Sequence, residues 1–88
     1  MAEIVRKAAA GTLESSDVYV EIAPGEAGID LELESVVKEQ FGQAIEQVVR
    51  QVLREQGVTC ARIRLVDRGA LDCVIRARVE TAIVRGGE

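Results

Sequence analysis

The stretch IDLELESVVKEQFGQAIEQVVRQVLREQG, Ile29 to Gly57, holds two periods of hydrophobicity back to back, and the switch between them decides the fold. In Ile29–Glu34 the apolar Ile29, Leu31 and Leu33 alternate with Asp30, Glu32 and Glu34, the period of a strand with one face buried. From Ser35 the spacing lengthens. Val37, Phe41, Ala44, Ile45, Val48, Val52 and Leu53 fall on one side of a helix, with Lys38, Glu39, Glu46, Arg50, Arg54 and Glu55 on the other. Ser35 can cap this helix by accepting a bond from a free backbone N–H, and Gly57 suits the left-handed residue that ends it. At 3.6 residues per turn the helix runs for about six turns.

Outward from this core, Asp17–Ala23 alternates in the same way, with Val18, Val20 and Ile22 against Tyr19 and Glu21, and Pro24 and Gly25 stop it. The short connection through Gly28 predicts that Asp17–Ala23 and Ile29–Glu34 pair antiparallel as a hairpin. Thr59–Val66 is a further strand, with Ala61, Ile63 and Leu65 inward and Arg62 and Arg64 outward. If it lies beside Ile29–Glu34, Arg62 and Arg64 face Glu32 and Glu34, a match of roughly 0.2–1 kcal/mol per pair. Ile4–Ala10 reads either as a first strand or as a frayed arm. In 68–85, Cys73, Ile75, Ala77 and Val79 alternate as a strand would, while Leu71, Val74, Ile75, Val79, Ala82 and Ile83 fit a helix face. The helix formers of RARVETA and the Gly86-Gly87 pair favour helix. The predicted class is α+β, a small two-layer sandwich in which an antiparallel or mixed sheet of three to four strands packs against two helices.

Eighty-eight residues suit a single domain spanning 1–88. Only Tyr19 and Phe41 are aromatic, so a thin core of Val, Ile, Leu and Ala is expected. The net charge of −4, with no Lys/Arg cluster and no aromatic platform, argues against nucleic acid. No apolar run is long enough to cross a bilayer, and MAEIVRKAAAG lacks the sustained apolar stretch of a signal peptide, so a cytoplasmic location is expected. Cys60 and Cys73 read as small core residues with reduced thiols. With no histidine and no close Cys pair, a metal site lacks a ligand set.

The same inventory leaves little room for independent catalysis. Histidine is absent, Lys7 and Lys38 sit in polar contexts, and neither cysteine has an adjacent base. The distinctive polar feature is the loop Gly11–Asp17, GTLESSD, rich in residues whose side chains bond the nearby backbone. A hydroxyl on such a loop suits covalent attachment, because a modifying enzyme must surround it and the added group must then move in solvent.

Three separated strings sharpen this. AGTLESSDV at Ala10–Val18, with its following strand ending in Ala23-Pro24, KEQFGQAI at Lys38–Ile45 and RGALDCVIRARVE at Arg68–Glu80 resemble, in order, the signatures of the citrate lyase acyl carrier protein family, the gamma subunit. The resemblance implies a non-catalytic carrier whose serine at the end of Gly-Thr-Leu-Glu-Ser, Ser15 here, bears 2'-(5''-phosphoribosyl)-3'-dephospho-CoA through a phosphodiester. Ser16 is the competing hydroxyl, and relatives with glycine at that place imply that it is dispensable. Gly11, Thr12, Leu13, Glu14 and Asp17 become recognition context for the prosthetic-group transferase. The implied partners are the alpha subunit, which exchanges acetyl for citryl on the arm, and the beta subunit, which cleaves the citryl thioester to oxaloacetate and restores acetyl. The alternatives are the carrier subunit of malonate decarboxylase, which GALDC and GTLES disfavour, and an unmodified domain that bridges subunits. Fatty-acid carrier proteins are set aside, because their Asp-Ser-Leu triplet is missing and the strand-rich pattern disagrees with a helical bundle.

Overall fold

The computed structural model describes residues 3–88. Four strands and two helices follow in the order β1 (Ala8–Gly11), β2 (Val18–Ala23), β3 (Ile29–Ser35), α1 (Lys38–Glu55), β4 (Ala61–Asp67) and α2 (Asp72–Gly87). The strands form one mixed sheet in the spatial order β1-β2-β4-β3, and both helices pack on the same face of it, α1 over β3 and α2 over β1 and β2. This is the α+β two-layer sandwich that the two hydrophobic periods predict.

The predicted hairpin does not form. β4 lies between β2 and β3, antiparallel to the first and parallel to the second. The relative direction of β2 and β3 was therefore expected correctly and their adjacency was not. The connection 24–28 strides over the start of β4 instead of turning back beside it. At Gly25 it comes so close that a Cβ there would stand 2.8 Å from the backbone nitrogen of Ala61, and Ala61 N–H donates to Gly28 C=O at 3.1 Å. β3, α1 and β4 make a β-α-β unit, the crossover that parallel neighbours require.

In the register of β3 and β4, Arg64 faces Glu32, with Nε 3.7 Å from Oε2, and Arg62 faces Asp30, so each arginine meets an acidic residue one pleat repeat from the expected one. Glu34 faces Val66. Arg64 also reaches Glu21 on β2 at 3.1 Å, and Lys7 meets Glu21 at 3.6 Å, so the helix-free face of the sheet carries a chain of alternating charges. A one-face-buried sheet of this kind shows the clean alternation seen in β2 and β3.

The helix-facing side is aliphatic up to Asp67 at the end of β4. Val18, Val20 and Ile22 of β2, Ala61, Ile63 and Leu65 of β4 and Leu33 of β3 meet Ile45, Val49, Val52 and Leu53 of α1 and Ile75, Val79, Ala82 and Ile83 of α2. Tyr19 is half-buried and Phe41 is exposed, so no aromatic ring enters this core. Phe41 and Ala44 therefore depart from the predicted inward face, because α1 buries nothing before Ile45 and the apolar stripe runs on beyond the core. Val49, absent from that stripe, is fully buried.

α1 ends as predicted. Gly57 has φ +75°, its N–H donates to Arg54 C=O, and Val58 N–H donates to Leu53 C=O, the paired bonds of a Schellman motif. Its start differs. Ser35 Oγ accepts from Val37 N–H at 3.1 Å but donates to Asp67 Oδ2 at 2.8 Å, so it fastens β3 to β4 ahead of a helix that begins at Lys38. Residues 68–85 resolve in favour of helix, and the arm before β1 anchors through buried Ile4 and the bond from Val5 N–H to Gly86 C=O.

Both cysteines are exposed, which corrects their assignment to the core. The inward phase of β4 begins at Ala61, so Cys60 falls outside it, and the inward residues Ile75 and Val79 of α2 turn Cys73 to solvent. Cys60 precedes β4 and Cys73 follows it, so the seven residues of the strand hold the two thiols on the order of 20 Å apart, beyond bridging distance. No helix among the described residues is long and apolar enough to cross a membrane, and no three of their His, Cys, Asp or Glu side chains cluster as a metal site would require.

Candidate functional site: the loop between β1 and β2

The sheet register brings several chain reversals to one end of the molecule. Gly11 pairs with Tyr19, Val18 with Asp67 and Ser35 with Asp67, so the loop 12–17, the start of α1 and the turn 68–71 before α2 all lie at this end. Asp67, which the sequence reading left unremarked, is the buried polar residue at the junction. Its Oδ2 accepts from Ser35 Oγ and its Oδ1 from Ala70 N–H at 3.0 Å, which ties the ends of β3 and β4 to the entry of α2.

The base of the loop is pinched at Gly11. Its φ is +91°, and a Cβ there would lie 1.8 Å from Val18 C=O, so the chain closes at that point only on glycine. Above the pinch, Asp17 organises the polar groups. Thr12 Oγ1 donates to Asp17 Oδ2 at 2.6 Å and accepts from Glu14 N–H at 3.2 Å, while Val18 N–H donates to Asp17 Oδ1 at 2.7 Å. From α2, Arg78 grips both carboxylate oxygens, Nε to Oδ1 at 3.1 Å and Nη2 to Oδ2 at 3.0 Å. The Thr12 hydroxyl first, then Arg78 and the Val18 N–H, hold the Asp17 carboxyl at a pKa of about 2, down from 3.8.

Ser15 and Ser16 form the centre of a turn in which Asp17 N–H donates to Glu14 C=O at 3.1 Å. Ser16 has φ +67°, the left-handed value that a type II turn demands at its third residue and that glycine adopts most readily. Its N–H is committed to Arg68 C=O at 2.8 Å, and Arg68 N–H returns a bond to Asp17 C=O at 2.9 Å. Ser15 stands at the tip, exposed. Among the described residues, the hydrogen bonds that shape the loop run through Thr12, Asp17 and the main chain, and none uses the hydroxyl of Ser15 or of Ser16.

The residues expected to give recognition context thus divide. Gly11, Thr12 and Asp17 face inward to the loop's own framework, whereas Leu13 and Glu14 stand exposed beside Ser15. Exposed Leu71 at the entry of α2, Val36 before α1 and Phe41 in its first turn occupy the same end. Arg78, the strongest partner of the loop, was not singled out from the sequence, since it lies 61 positions from Asp17.

Comparison with known proteins bears on what such a serine could carry. The chain is 58% identical over 87 residues to the citrate lyase acyl carrier protein of Escherichia fergusonii, covering 98% of this chain and 90% of that one. The chain belongs to the citrate lyase acyl carrier protein family. The family member from Klebsiella pneumoniae is 56% identical over 82 residues, covering 92% of this chain and 84% of its own, and that from Rhodopseudomonas palustris is 55% identical over 83, covering 94% and 86%. A sequence profile described as ACP, malonate decarboxylase delta subunit (MdcD), matches residues 5–86. The fold recurs in a chain from the crystal structure of a Pseudomonas malonate decarboxylase hetero-tetramer in complex with malonate, with a TM-score of 0.80 at 22% identity over 99% of this chain and 93% of that one. Members of the citrate lyase family are acyl carrier subunits by name, and this chain is accordingly a carrier and not a catalytic subunit.

Proposed function

We propose that this chain is the carrier subunit of a citrate lyase, acting as one carrier domain, with Ser15 as the covalent anchor of a phosphoribosyl-dephospho-coenzyme A arm. The observation that carries the reading is the exposed Ser15 hydroxyl at the tip of a turn held by Thr12, Asp17 and the main chain; the Ser16 hydroxyl is exposed as well, and Ser15 is chosen because it is the serine that closes Gly-Thr-Leu-Glu-Ser. A phosphodiester there costs the fold no hydrogen bond, and the group would extend into solvent. Its terminal thiol supplies a thioester, which makes an acyl carbonyl electrophilic. The chain's own residues supply placement. The sheet and helices fix the base of the loop, and Leu13, Glu14 and their apolar neighbours offer side chains for an enzyme to read.

Tethering suits a reaction divided between two active sites. An arm fixed at Ser15 presents its acyl group to both at an effective concentration on the order of millimolar, without release between steps. The partners in this reading are the alpha subunit, the beta subunit and the prosthetic-group transferase, in the cytoplasm. Malonate decarboxylase is the second reading, favoured by the name of the matching profile. Identity of 55–58% to the citrate lyase carriers supports the first over it.

Reconstitution tests the choice. The modified chain mixed with citrate lyase alpha and beta subunits is expected to restore citrate cleavage, and the Ser15→Ala chain is expected not to. Restoration of malonate decarboxylation alone would favour the second reading. Equal restoration of citrate cleavage by the Ser15→Ala chain would remove Ser15 as the anchor, and the mass of that variant would tell attachment at Ser16 from an unmodified bridging role.

A further inference from the structure

We propose that Arg78 is a positioning residue for attachment at Ser15, holding the loop 12–17 from outside so that the modifying enzyme meets one conformation of the serine. The proposal rests on the reading that Ser15 is the anchor. Attachment joins Ser15 Oγ to the phosphorus of a phosphoanhydride-activated donor. The anhydride P–O bond breaks, phosphate or diphosphate leaves with its electron pair, and the hydroxyl proton passes to a base or to solvent. Arg78 takes no part in that exchange. It acts through Asp17.

The loop has little else to order it. Thr12, Leu13, Glu14, Ser15 and Ser16 are all exposed, so no buried apolar side chain of the loop pins it to the body. A segment with few buried contacts opens at low free-energy cost unless polar bonds restrain it. The two backbone bonds with Arg68 hold only the trailing side, at Ser16 and Asp17. The leading side is held through Thr12, whose hydroxyl bonds Asp17, and Asp17 in turn is gripped by Arg78. Gly11 contributes to the same device. The Cδ of Arg78 lies 3.3 Å from where a Cβ of residue 11 would stand, so the bare backbone gives the arginine stem its path to the loop. A planar guanidinium meets both carboxylate oxygens at once, which an ammonium cannot do. Arg78 Nη2 and Asp17 Oδ2 lie 3.0 Å apart with side chains 41% and 14% exposed, so the contact is partly shielded from screening by salt.

When the enzyme-competent loop is only a fraction of the population, apparent affinity falls by that fraction while turnover of the bound complex is preserved. For Arg78→Ala the expected result is a rise in KM for the carrier of about tenfold with kcat within about twofold, and for Arg78→Lys and Thr12→Val rises of about threefold. The assay is transferase-catalysed mass gain with the activated phosphoribosyl-dephospho-coenzyme A donor, alongside amide relaxation by NMR. Amides of 13–16 should gain mobility in Arg78→Ala while those of β2 and β4 stay as in the parent. The lysine and valine variants keep the test open should Arg78→Ala unfold. Unchanged KM in all variants that fold, with Ser15→Ala unmodified, would overturn the role of Arg78 and leave the anchor standing. A full mass gain on Ser15→Ala would overturn the anchor and the proposal together.

Discussion

Replacing Gly11 by alanine should be among the most damaging single-methyl additions the chain can suffer, and the cost can be worked from two separate terms. The first is conformational. At φ +91° an L-residue pays about 1–2 kcal/mol relative to glycine. The second is steric, since the new Cβ would lie 1.8 Å from Val18 C=O and 3.0 Å from its carbon. Relief requires the paired strands β1 and β2 to part by more than a bond length's slack, and such overpacking costs about 1–3 kcal/mol. Together they predict a loss of about 2–5 kcal/mol. With about 4–8 °C per kcal/mol for a domain of this size, Tm should fall by at least about 8 °C. Gly28→Ala is the matched control. Its φ of +72° carries the conformational term, but nothing lies within 4 Å of the added Cβ, so a loss of about 1–2 kcal/mol is expected. Urea and thermal unfolding followed by far-UV circular dichroism measure both. Equal losses in the two variants would refute the closed loop base, because the steric term would then be missing.

Three further outcomes follow from the same geometry. Asp17 has its pKa lowered to about 2 from 3.8, so its contribution is full above about pH 4 and disappears as pH falls through about 2. Allowing for solvent screening of the exposed side of Arg78, Asp17→Asn should cost about 1 kcal/mol at pH 6, and its Tm should converge on the parent's near pH 2; a gap that persists there would contradict the assigned carboxylate bonds. Ser16→Gly should stabilise by up to about 1 kcal/mol by relaxing the left-handed residue, and should leave attachment intact; loss of stability would argue against the turn. Cys60 and Cys73 should both react with a thiol reagent in the native state, and a thiol that reacts only after denaturation would contradict its exposure.

Much of this architecture is legible in the sequence because the faces of elements are periodic. The alternation of Val18, Val20 and Ile22, and of Ile29, Leu31 and Leu33, fixes which side of each strand meets the helices, and Gly57 marks the end of α1 where the left-handed residue occurs. Alternation is silent about neighbours. A connection of five residues, 24–28, can turn back into a hairpin or step across one strand about 4.8 Å wide on either side, and only the bare backbone of Gly25 against Ala61 distinguishes the two. Phe41 sits at helical spacing from Ile45, four residues along, yet it is exposed, since the period gives the angle of a side chain and not whether the core extends that far. At the loop, the turn and its exposed serine follow from local chemistry, whereas the grip of Arg78 on Asp17 and the burial of Asp67 under Ser35 and Ala70 arise from tertiary contacts that no local pattern encodes.

The most direct measurement is intact-mass analysis of the chain coexpressed with its prosthetic-group transferase, followed by fragmentation of the peptide that spans 11–17. The account predicts a single mass increment located on Ser15, lost in Ser15→Ala and kept in Ser16→Ala. An unmodified chain, or an increment located on Ser16 or outside this peptide, would contradict it.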